Sequence, residues 1–198
     1  MSPGSDASPD RRSEILAAAA RVFARQGFEG ASMNDIIAEA GISKGGVYWY
    51  FKSKDEIIGT IVKNYFERDL DNVRALFDAP LPAPEKLLAL VRFAVEDIES
   101  MMGMLPLAFE AYALAFHNPV VKQALEDYLD SYMAFLVPIF QRGIELGEFR
   151  EVDPSEAALA VAAIIEGTLI LWVFKPDLVS LKRHILSSIQ LLLDGLKP

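Results

Sequence analysis

The fold of this chain is decided by residues 32–50, SMNDIIAEAGISKGGVYWY. Ser32 suits the N-cap of a short helix over Met33–Ala40, because its hydroxyl can accept a backbone N–H that has no partner inside the helix. Gly41 ends that helix, since glycine enters the left-handed region at little cost. Ser43 suits the N-cap of a second short helix, Lys44–Tyr50. Two short helices joined by a tight glycine turn make a helix-turn-helix, whose second helix enters the DNA major groove. Ile36, Ala40, Ile42 and Val47 are the expected core between them. At Lys44-Gly45-Gly46 the missing side chains let backbone approach phosphate or base edges, and the positive end of the helix faces the anion. Tyr48, Trp49 and Tyr50 offer ring and hydroxyl contacts, and Lys52 and Lys54 a basic rim. A plain glycine-capped helical hairpin with exposed lysines shares this pattern.

Outward from this stretch, helical periodicity fills the chain and nothing alternates as a strand would. Upstream, Ile15, Leu16, Ala19, Val22 and Phe23 recur at spacings of three and four between Arg11 and Gln26, and Gly27 stops that helix. Residues 1–10 have no basic start and no apolar run, so they read as a disordered tail and not as a secretory signal. Downstream, a helix starts after Ser53 and runs from Lys54 to about Phe77. The three prolines of residues 78–84 break the pattern. It resumes over Glu85–Met102, Leu107–Phe116 and Val120–Leu146, with Pro138 expected to kink the last. Asp153, Pro154 and Glu156 form a capping-box start for a helix reaching Phe174, and the last helix spans Asp177–Leu196. The expectation is an all-α chain of about nine helices.

Gly27-Phe28-Glu29-Gly30-Ala31-Ser32, Ile36, Ala40-Gly41-Ile42-Ser43-Lys44-Gly45, Val47-Tyr48, Tyr50-Phe51 and Ser53-Lys54-Asp55-Glu56 together resemble the DNA-binding domain of the TetR family of bacterial transcriptional regulators, without a gap over roughly residues 11–58. The resemblance implies a DNA-binding domain at 11–53 and a larger ligand-binding and dimerisation domain at 54–198. It implies Ser32 on phosphate, Ser43, Lys44 and Gly45 at the groove, and Tyr48 on the DNA backbone. Trp49 fills a slot the family often gives to histidine, also near DNA. Lys54 is implied to bind phosphate at the start of the fourth helix, and Phe51 to be core. Gly46 stands where the family often has threonine, so one hydroxyl contact is absent. Ile37 fills a slot that is more often small. These departures leave the operator sequence open. The Phe109 to Asn118-Pro119 stretch, Gly143 with Gly147-Glu148-Phe149, Asp153-Pro154 and Glu166-Gly167 resemble the C-terminal pattern of several TetR subfamilies, BetI-like ones included.

Composition narrows the function further. The 198 residues are 52% hydrophobic, contain no cysteine, and hold two histidines, His117 and His184. That argues against disulfides, thiolate metal sites, cysteine nucleophiles and histidine-rich metal sites. The net charge of −9 argues, as a total, against a nucleic-acid binder. Divided, it does not: residues 1–54 hold 7 basic and 6 acidic side chains, whereas residues 55–198 hold 12 and 22. No glycine-rich nucleotide loop, Ser/His/Asp signature or paired metal-ligand motif points to an enzyme, a metal or a cofactor.

In the body, Pro154–Phe174 is apolar nearly all round, which requires burial on most sides. Glu166 in its middle argues against a membrane span, where a carboxylate costs ~2.5–3.5 kcal/mol. Ile165, Leu169 and Trp172 on this helix, with Leu181, Ile185 and Ile189 on the next, are the expected dimer interface, because a two-fold operator needs a two-fold protein. The stripe on the last helix is Leu178, Leu181, Ile185, Ile189, Leu192 and Leu196. Phe66, Met101, Met104, Phe109, Tyr112, Phe116, Tyr132 and Phe135 are expected to line an adaptable apolar pocket, with Glu110 and Glu166 as its polar members. The reading is a cytoplasmic dimeric repressor of a palindromic operator, released by a small, hydrophobic effector. The alternative is a helical lipid- or hydrophobe-binding module without DNA function.

Overall fold

The computed structural model describes residues 9–67, 77, 80–100 and 102–198, with side chains for all of these except 9, 10 and 65–67. Nine α-helices follow one another and no strand occurs among the described residues. They are α1 (Pro9–Gly30), α2 (Met33–Ala40), α3 (Lys44–Tyr50), α4 (Lys54–Glu67), α5 (Ala83–Ser100), α6 (Leu105–Ala115), α7 (Pro119–Glu145), α8 (Pro154–Phe174) and α9 (Leu181–Gly195), with a 3-10 turn at Met102–Met104. The expected extension of α4 to Phe77 lies largely outside the described residues.

Most helix ends fall where local side-chain chemistry puts them. Ser32 and Asp35 form a reciprocal capping box at the start of α2. Gly41 closes that helix at φ 65°, its N–H donating to the Ile37 carbonyl. Asp153 accepts the N–H groups of Ser155 and Glu156 at 2.8 and 3.1 Å, ahead of Pro154 at the first turn of α8. Two boundaries differ from expectation. The hydrogen-bonded run of α1 continues to Gly30, but Gly27 sits at φ 70°, ψ 173°, so the helix breaks there in direction. The last helix begins at Leu181: the Leu178 and Val179 N–H groups fold back onto the Lys175 carbonyl, and Leu178 is exposed. The α7 helix runs through Pro138 without interruption.

The chain divides into two compact units, Met1–Arg68 with Gly103–Tyr128, and Asp69–Met102 with Leu129–Pro198. They do not coincide with a cut at residue 54. In the first unit, Ile15, Ala19, Val22 and Phe23 of α1 meet Ile36 of α2, Val47 and Phe51 around α3, and Ile57 and Ile58 of α4. Leu107 and Ala111 of α6 and Val121 and Ala124 of α7 complete that core, adding apolar area that so small a group of helices needs. Phe23 and Phe28 pack edge to face at 5.0 Å.

In the second unit the buried faces are Leu87, Val91 and Val95 of α5, Leu136, Ile139 and Phe140 of α7, Val161 and Ile165 of α8, and Ile185 and Ile189 of α9. The Phe149 ring occupies the space where a Cβ at Gly143 would stand, which requires glycine there. The Arg150 guanidinium bonds the Gly195 carbonyl at 2.8 Å, satisfying a carbonyl at the end of α9.

Candidate nucleic-acid interface

The helix-turn-helix is held by its own hydrogen bonds. The Ser43 hydroxyl accepts the Gly46 N–H at 3.1 Å and keeps its own proton for an outside acceptor. At the other end of α3, the Lys52 ammonium donates to the Tyr48 and Trp49 carbonyls at 2.6 and 3.2 Å, a cation at the negative end of the helix. Ile36 and Val47 are fully buried between the helices, with Ile42 packed beside them. Outward, α3 presents Lys44, Gly45 and Trp49. A Cβ at Gly45 would meet nothing within 4 Å, so bare backbone faces out. Trp49 is 62% exposed and stands edge-on against Tyr50 at 4.7 Å.

Two residues expected on phosphate are committed elsewhere. The Ser32 hydroxyl donates to Asp35 at 2.5 Å while accepting the Asp35 N–H, so its proton serves the cap. This hydroxyl, and then the Ser32 N–H, hold the Asp35 carboxyl below its usual pKa. The Lys54 ammonium donates to the carbonyls of Phe28, Ala31 and Glu29 at 2.6, 2.9 and 3.4 Å. An ammonium has three protons, so Lys54 is fully used in holding the corner between α1 and α2. From the other side, Glu110 of α6 accepts the Phe28 N–H at 2.7 Å. One corner is thus gripped by a cation and an anion.

The arginines of the head are anchored as well. Arg11 pairs with Glu14, and Arg21 and Arg25 both bind Glu39, at 2.7 and 2.6 Å. Arg21 and then Arg25 hold the Glu39 carboxyl below its ordinary pKa. Arg12 lies over the Phe51 ring at 5.0 Å. Lys44 rests 5.8 Å from the Tyr48 ring centroid and makes no ion pair among the described residues. Its ammonium stays at the surface beside the exposed start of α3.

Residues 15–61 match the family described as bacterial regulatory proteins, tetR family, and residues 83–194 match the BetI-type transcriptional repressor C-terminal family. The chain belongs to the TetR family. The chain is 32% identical over 146 residues to the uncharacterized HTH-type transcriptional regulator YfiR of Bacillus subtilis, covering 73% of this chain and 70% of that one. It is 27% identical over 188 residues to the fatty acid metabolism regulator protein of the same organism, covering 92% and 94%. Among solved structures, FadR from Bacillus subtilis in complex with stearoyl-CoA aligns with a TM-score of 0.77 at 23% identity, covering 93% and 98%. The triclosan complex of SmeT, a repressor from Stenotrophomonas maltophilia, aligns at 0.82 and 22%, covering 96% and 92%. The protein is accordingly a DNA-binding transcriptional regulator whose TetR-type reading head is built from α1–α4.

The residues expected in this TetR-family regulator's pocket are distributed over both units. Met104, Phe109, Glu110, Tyr112 and Phe116 belong to the first unit, and Tyr132, Phe135 and Glu166 to the second. Met104 packs on the first unit's core, and Phe116 is 85% exposed. Glu110 serves the α1–α2 corner. The side chains of Phe66 and Met101 lie outside the described residues. In the second unit, burial first and then the Glu166 charge push the Tyr132 phenol above its ordinary pKa, while Phe77 and Phe135 meet edge to face at 6.3 Å.

The interface expectation is corrected. Ile165, Leu169, Leu181, Ile185 and Ile189 are buried within one chain, and Trp172 borders a surface cleft of about 310 Å³ with Glu99, Met102 and Arg183. Periodicity finds an apolar stripe but not the partner it packs on. The outward apolar face of α8 is instead Leu159, Ile170, Leu171 and Phe174, with Leu191 exposed on α9. By length and composition α8 could also cross a membrane. Sequence reasoning missed the Glu39 and Glu110 roles. A run such as Arg21-x-x-x-Arg25 on one helix face is the signal that could have suggested the first.

Proposed function

We propose that this chain is a cytoplasmic repressor that binds a palindromic operator as a homodimer and lets go when a small hydrophobic effector occupies its second unit. The observation that carries the reading is the outward face of α3: an uncommitted cation at Lys44, bare backbone at Gly45 and an exposed ring at Trp49, on a helix tied at both ends. Ser43, Tyr48 and the N-terminus of α3 supply further phosphate contacts. The dimer is supported by the second apolar face of α8, which one chain leaves uncovered although its other face is core. Two-fold pairing sets the recognition helices one DNA turn apart, ~34–36 Å. An effector that favours another spacing then shifts the population away from DNA. The stearoyl chain and the triclosan bound in the FadR and SmeT structures, the Phe77–Phe135 ring pair and the buried Tyr132 near Glu166 support an apolar effector. No catalytic role is assigned.

The test is a gel shift with the DNA upstream of the chain's own gene, at low salt and then at rising salt, with sedimentation of the free protein. Retardation that weakens as salt rises, and a dimer in solution, are expected. Absence of retardation with any genomic fragment at low salt overturns the reading.

A further inference from the structure

The inference concerns the reading chemistry of α3 and rests on the DNA-binding role above. The helix sequence Lys44–Tyr50 contains no Arg, Asn, Gln, Asp or Glu. Of the side chains that read guanine, adenine or cytosine edges through paired or directed hydrogen bonds, only Lys44, a guanine reader at the first position of the helix, is present. What α3 exposes is one ammonium, one stretch of bare backbone and one indole. Gly45 and Trp49 are four residues apart, so they lie on one face, a turn apart. With no side chain at Gly45 and open space around its Cβ position, the indole can reach a base edge that a larger neighbour would hold off. The ring is also positioned before DNA arrives. It stands at 80° to Tyr50 with centroids 4.7 Å apart, and still leaves 62% of the residue in water.

An exposed indole on a polyanion-binding face gains by covering apolar surface. The major-groove base edges offer one apolar group, the C5-methyl of thymine. We propose that Trp49 reads that methyl, so that the operator half-site carries a thymine under Trp49 and its recognition depends on the methyl rather than on a hydrogen bond.

The experiment starts by selecting bound sequences from random duplexes with the full chain. The best site is then rebuilt with single dT→dU replacements, which remove the methyl and leave every hydrogen-bonding group in place. Wild type and Trp49→Ala are titrated against both duplexes. One replacement per half-site is expected to weaken wild type about 5- to 10-fold. Trp49→Ala should lose a similar factor on the thymine duplex and be indifferent to the replacement, within about twofold. Because Trp49 is largely exposed, the variant keeps its fold, which circular dichroism checks. Equal binding of wild type to thymine and uracil duplexes overturns the proposal. So does an equal loss by Trp49→Ala on both, which marks a sugar or phosphate contact. Selection of no sequence by wild type removes the DNA-binding reading and this inference with it.

Discussion

Substituting Gly27 tests how the head is held to α6. Its backbone, at φ 70° and ψ 173°, lies where side-chain-bearing residues are strained by about 1–3 kcal/mol. Gly27→Ala adds a steric term, because its Cβ would stand 2.9 Å from one Glu110 carboxylate oxygen and 3.3 Å from the other. That carboxylate cannot swing away freely, since it accepts the Phe28 N–H at 2.7 Å. Breaking this bond on the solvent side of the corner costs about 1 kcal/mol. Glu110→Ala alone should therefore lose about 1 kcal/mol and lower Tm by about 2–4 °C for a chain of this size. Gly27→Ala alone should lose roughly 2–4 kcal/mol, the strain plus the displaced carboxylate. The double variant removes the clash, so its loss should fall short of the sum by about 1 kcal/mol. Urea unfolding of the four proteins measures the cycle, and amide exchange at Phe28 reads the corner directly, with protection lost in Glu110→Ala. Glu110→Gln keeps an acceptor oxygen and should keep most of the protection. Additivity within about 0.3 kcal/mol, or unchanged Phe28 exchange in Glu110→Ala, refutes the proposed grip.

The two lysines flanking the reading helix should separate by assay. Lys44→Ala should weaken operator binding and reduce the salt slope by about one, with Tm little changed, because its ammonium makes no ion pair among the described residues and only a long ring contact. Lys54→Met should instead lower stability by about 1–2 kcal/mol, leaving corner carbonyls unpaired, with little change in salt slope; the reverse pattern would return Lys54 to the phosphate. Phe174→Glu, at a side chain 73% exposed in one chain, should leave helicity intact and give a monomer by sedimentation; a persisting dimer would place the interface elsewhere. Because Arg21 and Arg25 depress the folded pKa of Glu39, the stability this pair supplies is present above the usual carboxylate range and disappears as pH falls through the lowered value. Glu39→Gln should thus be less stable than wild type near pH 7 and converge with it in acid; a difference that persists at low pH would mean packing, not charge, is at stake.

The head was legible because its signals are local. Ser32, Gly41 and Ser43 act on backbone groups within four residues, so the turn and both helices follow from the order of side chains. The body's helices were legible for the same reason, through Asp153-Pro154 and the prolines. The site was legible in part. Lys44, Gly45 and Trp49 were read as facing DNA, and the structure leaves them facing out. Ser32 and Lys54 were read as phosphate ligands, and their protons go to Asp35 and to the α1–α2 corner. A serine or lysine in a DNA-binding motif has the same one-dimensional signature whichever acceptor it finds.

Two assignments needed the third dimension. Glu110 was placed in a ligand pocket because it lies in an apolar helix, yet it binds a backbone N–H 82 residues away. Helix α8 was read as apolar nearly all round and buried on most sides, with Ile165, Leu169 and Trp172 at a dimer interface, while folding buries Val161, Ile165 and Leu169 within one chain and leaves Leu159, Ile170 and Phe174 outside. Taken alone, the sequence determined that this chain is all helix, where most helices begin and end, and that it carries a helix-turn-helix. Those outcomes depend on 3.6-residue periodicity and on caps a few residues long. Tertiary structure decided which apolar face is core and which charges of the head, such as Lys54 and Glu110, are spent within the chain. Those depend on neighbours distant in sequence, whose hydrogen-bonding and packing capacity is finite and is claimed first by whatever the fold brings within reach.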